Sequence, residues 1–571
     1  MINPRTALLL PVLLELCFAP VFLVFLPRLS SAQVAYSGAV PGNKIEEFNV
    51  KIARTAEALG SGVYEDYPVQ LGSFYRAASS VPVARLPSAP LGYQVPEPRL
   101  VKAPVPQEFS DPEGTSYTGA AVAGWGAAVT QVADLGYLPG TSVPPSFEAI
   151  SDRVMKASRS SAFPARGAGQ PSLFTNEGFV NEFERVTGAR FAAGNSARFL
   201  IDGEASFQVK DALIKNARKS LLIASWAFCD DTTGYEAAQM LIAKHKEGVK
   251  VQVMLDDIMY SSHGKKVVKM MRDAGIEVLL HSDTERYSDI WHVKVMIADD
   301  KYAVAGGMNF GDVYSHKAGA LKWRDTDVLF SGPSVTQARK LLADEWNSQV
   351  SSRKLPFSPV NARGPQNPGF ETGSARVAVI LQDPPKSSPI LVSIVKAMYG
   401  ATKTINIENA YFVPIPVITR AILDARTRGV EINLLTNSRE SIDAEGKPIA
   451  DAIAEGLVPL VQAGVNVYLK QGNAQTLHSK FMTVDGEFAG IGSYNMHPRS
   501  ERSDSELNVN ILDRASVAQL DRAFSLDISL AKKVNSVKEL EGAPGLVSQI
   551  LSNYFYYQLS SPVQLPADLT N

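Results

Sequence analysis

The sequence predicts two α/β lobes of similar construction, preceded by a proline-rich region. Three observations lead to this prediction: a short motif containing His, Lys and Asp occurs twice, strand and helix patterns alternate around both copies, and prolines cluster between the copies. At 571 residues the chain is too long for one hydrophobic core. We therefore expect an α/β fold with internal pseudo-symmetry.

The N-terminal run resembles an export signal. Arg5 precedes an apolar stretch from 7 to 27, and Ser30-Ser31-Ala32 offers small residues for cleavage. An uncleaved anchor is the alternative, because the stretch approaches the ~20 residues that span a bilayer. Glu15 and three prolines within the stretch favour cleavage. We expect an exported protein, periplasmic or secreted, that associates with a membrane.

The remaining boundaries follow from composition. Helical patterns at 44–59 and 147–158 lie in the proline-rich accessory region, to which we assign no function. The predicted divisions are 1–32 signal peptide or anchor, 33–175 accessory region, 176–352 first lobe, 353–373 linker and 374–571 second lobe.

Each lobe begins with the same order of elements. Apolar periodicity and terminal glycines predict helices and strands in alternation. In the first lobe these are strand 199–201, helix 207–217, strand 220–228, helix 237–245, strand 249–255 and a final helix 334–346. In the second lobe they are helix 391–401, strand 404–412, helix 417–428, strand 430–435 and a final helix 515–531.

The repeated motif carries the residues that can do chemistry. Its copies are Trp-His-Val-Lys-Val-Met-Ile-Ala-Asp and Leu-His-Ser-Lys-Phe-Met-Thr-Val-Asp. A Gly follows each His by 14 positions (306 − 292 and 492 − 478) and an Asn follows by 17 (309 − 292 and 495 − 478). The motif residues are His292, Lys294, Asp299, Gly306 and Asn309 in one copy, and His478, Lys480, Asp485, Gly492 and Asn495 in the other.

The spacing predicts how these side chains point. Residues two apart on a strand face the same side, so His292 and Lys294 should project together while Val293 and Val295 enter the core. The Asp lies beyond the strand in a turn, and we expect it to hold loop geometry through backbone hydrogen bonds.

The motif residues match the needs of phosphodiester cleavage. Two imidazoles can supply a nucleophile and an acid, while lysines and amides stabilise the phosphoryl oxygens. No CxxC or HExxH spacing indicates a metal site, and no cofactor is expected. The net charge of −2 argues against nucleic acid as a partner. The other five histidines, read as surface or core residues, are His245, His263, His281, His316 and His497.

The duplicated motif resembles that of the phospholipase D superfamily over roughly residues 194 to 530. This resemblance implies two lobes that face each other, α/β/α in layers, with one active site at their interface. It also implies that an acid orients each histidine. The candidates are Glu506, 28 residues after His478 (506 − 478), and Asp325, 33 after His292 (325 − 292), with Asp327 a weaker choice. Which histidine pairs with which acid stays open.

Several stretches are most similar to the cardiolipin synthase branch of this superfamily. They are Gly306-Gly307-Met308-Asn309, Trp323-Arg324-Asp325-Thr326-Asp327, Gly492-Ser493-Tyr494-Asn495 and Arg499-Ser500. The resemblance implies catalysis by His292, Lys294, Asp299, His478, Lys480 and Asp485, with phosphate bound by Asn309, Asn495 and Ser493. It assigns His292 as nucleophile and His478 as acid.

We expect a metal-independent, monomeric phosphodiesterase or phosphatidyltransferase. It would act on phospholipid at a membrane surface through a phosphohistidine, with water or an alcohol as acceptor. The alternatives are a nuclease of the same superfamily, cardiolipin synthase proper, and a non-catalytic binding protein on the same scaffold.

Overall fold

The computed structural model describes residues 147–541, except 283–288, 366–367, 385–386 and 445. The predicted signal peptide and the predicted helix 44–59 lie outside the described residues. Within them, no helix is both long and apolar enough to cross a membrane.

The first lobe is a mixed seven-stranded sheet with helices on its outer face. Its strands are β1 (Ala192–Ile201), β2 (Ser220–Ser225), β3 (Lys250–Asp256), β4 (Glu277–His281), β6 (Val295–Ala298), β7 (Tyr302–Gly306) and β8 (Thr326–Ser331), with β5 (Ile290–Trp291) outside the sheet. Its helices are α3 (Asp202–Asn216), α4 (Thr232–Lys246), α5 (Asp257–His263), α6 (Lys265–Asp273), α7 (Asp312–Ser315) and α8 (Pro333–Ser352). Strands β2, β3 and β4 pair in parallel, and the other pairs within the sheet are antiparallel.

The second lobe repeats this construction. Its strands are β9 (Ala375–Gln382), β10 (Thr404–Asn409), β11 (Glu431–Asn437), β12 (Asn466–Lys470), β13 (Lys480–Val484), β14 (Phe488–Gly492) and β15 (Asp504–Leu512), with β16 (Lys532–Lys533) added at the edge. Its helices are α9 (Pro389–Gly400), α10 (Pro416–Thr427), α11 (Ala450–Gln462), α12 (Arg499–Arg502) and α13 (Arg514–Ser529).

The two sheets join edge to edge. Across the whole sheet the order is β16-β12-β11-β10-β13-β14-β15-β9-β1-β8-β7-β6-β2-β3-β4, so each lobe has the same order read outward from the centre. The join is the antiparallel pair of β9 with β1. The predicted α/β fold with two pseudo-symmetric lobes is thereby confirmed.

Three buried apolar clusters fill the molecule. One lies beneath the outer helices of the first lobe, and another lies beneath those of the second lobe. The third contains residues of both sheets together with α8 and α13, including Trp346 and Phe524. This shared cluster fixes one lobe against the other, because burial of its apolar surface is lost if the lobes separate.

Residues that precede β1 pack on the second lobe. The predicted helix at 147–158 is present as α1 (Phe147–Ser158), and it is followed by α2 (Glu177–Thr187). Both helices contribute to the apolar cluster of the second lobe, where Phe174 stacks on Phe488 at 4.8 Å. The sequence analysis grouped residues from 176 onward with the first lobe. The structure places α2 differently because its apolar face is buried against α9.

Candidate active site

His292 lies at a contact between the lobes. The short strand β5, directly before it, pairs in parallel with β15 of the second lobe. The His292 backbone N–H donates to the Ser505 carbonyl at 2.9 Å, and its Nδ1 lies 2.9 Å from Glu506 Oε2. A first-lobe histidine is therefore oriented by a second-lobe carboxylate.

His478 makes the mirror-image contact. Arg324 of the first lobe forms an isolated parallel bridge with Leu477, and the His478 N–H donates to the Arg324 carbonyl at 2.7 Å. His478 Nδ1 lies 2.7 Å from Asp325 Oδ2. The pairing that the sequence left open is therefore crossed: each histidine takes its acid from the other lobe. The weaker candidate, Asp327, forms an ion pair with Lys210 at 2.8 Å instead.

Strand spacing explains why the pairs do not form within a lobe. His292 precedes β6 and Asp325 precedes β8, with β7 between these strands. Neighbouring strands are ~4.8 Å apart, so positions two strands apart are separated by ~10 Å. That distance exceeds hydrogen-bond reach, whereas the opposing lobe brings an acid within 3 Å of each ring.

Neither histidine lies within a strand as predicted. His292, Lys294 and His478 precede their strands, which begin at Val295 and at Lys480, so only Lys480 lies on a strand. The expected alternation nevertheless holds in the first copy, where Val293 and Val295 are buried in the cluster shared by the lobes. The segments before the strands are free of ladder pairing in their own sheet, so they can pair with the opposite lobe.

Glu506 is held from both sides. Its Oε2 accepts a hydrogen bond from Ser493 Oγ at 2.5 Å, and its Oε1 accepts one from Ser500 Oγ at 2.8 Å. Ser493 was expected to bind phosphate, but its only hydroxyl proton is donated to Glu506. Gly307 occupies the matching place in the first copy, where an added Cβ would lie 2.1 Å from Asp325 Oδ1. The Gly–Ser difference between the copies therefore follows from the two acids they contact.

Both motif lysines are buried beside their histidines. Lys294 Nζ donates to the His292 carbonyl at 2.7 Å, and Lys480 Nζ donates to the His478 carbonyl. Burial lowers the pKa of Lys294 to about 7 and that of Lys480 to about 8, while Glu506 and Asp325 oppose the shift. At pH 7 Lys294 is therefore about half protonated and Lys480 is mostly protonated. Their positive charge is only weakly solvated, and an anionic substrate would stabilise it.

Burial also lowers the pKa of both histidines. The exposed fraction is 6% for His292 and 2% for His478. Burial lowers the pKa of His478 to about 4, helped by Lys480, and lowers the pKa of His292 well below its usual value, helped by both lysines. The pKa of each histidine is thus lowered by the lysine of the other lobe as well as by its own, so the two motifs form one electrostatic site.

The two acids respond differently to this environment. Burial, reinforced by Asp504, raises the pKa of Glu506 well above its usual value. Burial would also raise the pKa of Asp325, but His478 and Lys480 outweigh it and lower that pKa. Asp325 is therefore a carboxylate that accepts from His478, whereas Glu506 is a carboxyl whose negative charge is costly until a cation develops beside it.

Two buried amides have unused hydrogen-bonding capacity. Asn309 Oδ1 accepts from the Ala227 N–H at 3.2 Å, but Asn309 Nδ2 has no partner within the described chain. Asn495 Oδ1 is likewise buried and unpartnered among the described residues. Such groups cost free energy unless a ligand satisfies them. The free Asn309 N–H donor suits the predicted role in phosphate binding, whereas the free Asn495 Oδ1 is an acceptor and needs a donor on the ligand.

The motif aspartates are structural. Asp299 accepts backbone N–H groups from Arg218, Lys219 and Ser220 at 2.7–3.0 Å. Asp485 accepts those of residues 402–404 at 2.7–3.0 Å. The resemblance grouped both with the catalytic residues, but they fasten the far end of β6 to β2 and of β13 to β10. This agrees with the loop-holding role expected from the turn itself.

An aromatic wall that the sequence did not predict surrounds the histidines. Trp226 meets the His292 ring edge-on at 5.5 Å, and Trp323 stacks on the His478 ring at 5.4 Å. Tyr314 and Tyr411 also contact the His478 ring. Aromatic residues are common in cores, and no spacing in the sequence indicated that these four would meet at one site.

Arg324 was quoted only as part of a family stretch, yet it links the lobes. It donates to the Asp325 carbonyl at 2.7 Å and forms an ion pair with Asp527 of α13 at 2.7 Å. Glu408 and Asp202 lie at 3.9 and 3.5 Å from its guanidinium. The guanidinium therefore ties the Asp325–His478 pair to both lobes.

A family model described as "Cardiolipin synthase, PLD-like domain" matches residues 211–318 and 394–528, which are the bodies of the two lobes. The chain belongs to the phospholipase D superfamily of enzymes. Within it, the matches place this chain in the cardiolipin synthase-like branch.

Relatives of this phospholipase D-type chain include cardiolipin synthase A of Pseudomonas entomophila (strain L48). That protein is 28% identical over 60% of this chain and 71% of its own length. Cardiolipin synthase A of Pseudomonas fluorescens (strain SBW25) is also 28% identical, over 61% of this chain and 72% of its own length.

A solved structure shares the two-lobed fold. Phosphatidylserine synthase of Haemophilus influenzae Rd KW20 superposes with a TM-score of 0.53 at 15% identity, covering 66% of this chain and 97% of that one. At this identity the likeness concerns the fold alone.

Proposed function

We propose that this protein is a phosphatidyltransferase and phosphodiesterase that acts on phospholipids through a phosphohistidine. The crossed His–carboxylate pairs carry this proposal, since they orient two imidazoles toward one site flanked by two buried lysines. The names of the relatives, cardiolipin synthase and phosphatidylserine synthase, support phospholipid as the substrate class.

In the proposed first step, His292 Nε2 attacks phosphorus while its Nδ1–H stays bonded to Glu506. A P–N bond forms as the bond to the leaving oxygen breaks, and His478 Nε2–H gives its proton to that oxygen. In the second step, His478 removes a proton from water or an alcohol. The new P–O bond then forms, the P–N bond breaks and His292 is regenerated.

The contrast between the two acids supports this assignment of roles. His292 becomes cationic when it is phosphorylated, and Glu506 is the acid whose charge burial destabilises. A cation formed 2.9 Å from Glu506 Oε2 supplies the counter-charge that stabilises the ionised carboxylate. The anionic phosphate would similarly raise the pKa of His478, which must be protonated before it can act as an acid.

The lysines and the Asn309 amide account for binding of the phosphoryl oxygens. Lys294 and Lys480 supply charge, while Asn309 supplies an unused N–H donor. The proposed setting is an exported, monomeric enzyme at a membrane surface, with water or an alcohol as the acceptor.

The experiment compares three substrates: radiolabelled phosphatidylglycerol, phosphatidylcholine and plasmid DNA. We expect lipid turnover, with phosphatidate formed in water and a new phosphatidyl ester formed when an alcohol is added. Protein quenched in alkaline denaturant, in which the P–N bond survives, should carry label on the peptide containing His292. His292→Asn and His478→Asn should abolish turnover, whereas His263→Gln, at an exposed position outside the site, should not. DNA cleavage without lipid turnover would refute the proposal.

A further inference from the structure

We propose that Leu526 and Leu530, with the lysines that follow them, dock the protein onto an anionic phospholipid surface. They lie on the side of the molecule that contains the catalytic histidines, which we call the catalytic edge. The inference deepens the proposed function and rests on it for the substrate class. It stands on the direction of α13, on the exposure of its outer face and on the charge of the segment that follows.

Helix α13 runs toward the catalytic edge. Near its middle, Asp521 accepts a hydrogen bond from Thr483 Oγ1 at 2.5 Å, within β13. Near its end, Asp527 forms the ion pair with Arg324, whose carbonyl accepts the His478 N–H. Only Arg324 therefore separates the inner face of the last turns of α13 from the catalytic Asp325–His478 pair.

The outer face of the same turns carries two leucines that no other residue of the described chain covers. Leu526 is 61% exposed and Leu530 is 69% exposed, and they are the only exposed large hydrophobic residues in the described part of the chain. Residues four apart lie on the same side of a helix, and Leu530 directly follows the last residue of α13. Arg522, four residues before Leu526, is also exposed.

The surrounding charge is basic. Residues 522–541 contain four basic side chains (Arg522, Lys532, Lys533, Lys538) and three acidic ones (Asp527, Glu539, Glu541). Asp527 faces inward to Arg324, and Glu539 forms an ion pair with Lys532 at 3.1 Å. The remaining basic side chains are Arg522, Lys533 and Lys538, and the remaining acidic one is Glu541. An apolar face flanked by basic groups is the pattern that binds anionic bilayers.

The lysines lie at the same edge as the leucines. Strand β16 contains Lys532 and Lys533 and pairs with Leu469 and Tyr468 at the carboxyl end of β12. That end is also the catalytic end of the sheet, because Asn437, which ends the parallel neighbour β11, donates to the Leu477 carbonyl beside His478.

A bilayer fits this surface better than a protein partner does. Stable protein interfaces bury ~800 Å² on each side around an apolar centre, which two leucines on one helix cannot provide. Inserting two leucines among lipid headgroups needs no complementary shape, and lysines near an anionic surface add to the attraction.

The test measures binding of the full chain to vesicles of phosphatidylcholine, with and without phosphatidylglycerol. We expect binding to depend on phosphatidylglycerol and to weaken about fivefold for each lysine removed in Lys532→Gln/Lys533→Gln. Leu526→Ser/Leu530→Ser should weaken it at least tenfold, while Leu526→Met/Leu530→Met should not. The charge control is Lys219→Gln/Lys403→Gln. It removes two exposed lysines that directly precede β2 and β10, at the end of the sheet away from the catalytic histidines.

Turnover separates this inference from the proposed function. The docking variants should lose activity on vesicles but keep it on short-chain phosphatidylglycerol dispersed as monomers. If no phospholipid is turned over but the pattern of vesicle binding is as expected, the function fails and the docking surface stands. Equal loss of vesicle binding in the Lys219/Lys403 control would overturn the docking proposal. Unchanged vesicle binding by Leu526→Ser/Leu530→Ser would also overturn it. If that variant is in addition less stable to heat, the leucines are covered by another part of the chain.

Discussion

The crossed pairing of histidines and acids predicts that neutralising each acid affects the histidine of the other lobe. Asp325→Asn removes the partner of His478, and Glu506→Gln removes the partner of His292. A hydrogen bond to a charged group contributes ~1.5–3 kcal/mol, which corresponds to a roughly 10- to 150-fold loss in rate. An amide that also selects the wrong imidazole tautomer can extend the loss to ~10⁴-fold.

Leaving groups distinguish the two variants. If His478 is the general acid, Asp325→Asn should slow transfer from a glycerol phosphodiester but spare a nitrophenyl ester, whose leaving group departs without a proton. Glu506→Gln should slow both substrates, because it impairs the nucleophile. The measurement is the rate of phosphoenzyme formation with each substrate in a rapid-quench experiment.

Nitrogen NMR of labelled histidine tests the pairing independently of the roles. Asp325→Asn should shift the ring resonances of His478 and leave those of His292 in place, and Glu506→Gln should do the reverse. A variant that shifts the histidine of its own lobe would refute the crossed arrangement. Reversed leaving-group effects with the expected spectra would refute only the assignment of nucleophile and acid.

Four further predictions concern the lysines, a glycine and a motif aspartate. Because burial lowers the pKa of Lys294 from 10.5 to about 7, the unfolded chain binds its proton more tightly than the folded one. Lys294→Met should therefore raise the free energy of unfolding at pH 7 by roughly 2–4 kcal/mol while abolishing turnover, with the gain fading toward pH 10.5 in denaturant titrations. For the same reason, kcat/KM should fall as pH rises through about 7 to 8, where Lys294 and Lys480 lose their charge. Gly307→Ala should lower kcat at least tenfold with little change in melting temperature, since its Cβ would displace the Asp325 carboxylate. Gly167→Ala is the control for adding a methyl group, because its Cβ would come only within 3.8 Å of its nearest neighbour, the Arg428 carbonyl oxygen. Asp485→Ala should lower stability by about 2–3 kcal/mol and leave kcat per folded molecule nearly unchanged, because it removes hydrogen bonds to three backbone amides.

The two halves of the site are symmetric in their backbone but not in their chemistry. Each histidine is preceded by a short parallel contact with the opposite lobe. The acids differ in side-chain length and in their neighbours. Glu506 accepts hydrogen bonds from two serines, and Asp325 packs against a glycine. Gene duplication accounts for the symmetry, and the need for one nucleophile and one acid accounts for the difference.

The sequence by itself determined the duplication, the α/β class and the histidines, lysines and acids that meet at the site. The identical offsets of His, Lys, Asp, Gly and Asn can be read from the sequence, because these residues act within one strand and the turn that follows it. The structural role of Asp299 and Asp485 followed from the same local reasoning, since a turn after a strand leaves backbone amides to be satisfied.

Only the tertiary structure decided which histidine each acid holds. Separations of 28 and 33 residues along the chain equally permit pairs within a lobe, and the distance across two strands became an obstacle only once the sheet order was known. The placement of α2 in the second lobe, the aromatic wall and the position of Leu526 at the catalytic edge have the same origin. Each depends on packing between residues far apart in the chain, and such packing leaves no periodic signal in the sequence.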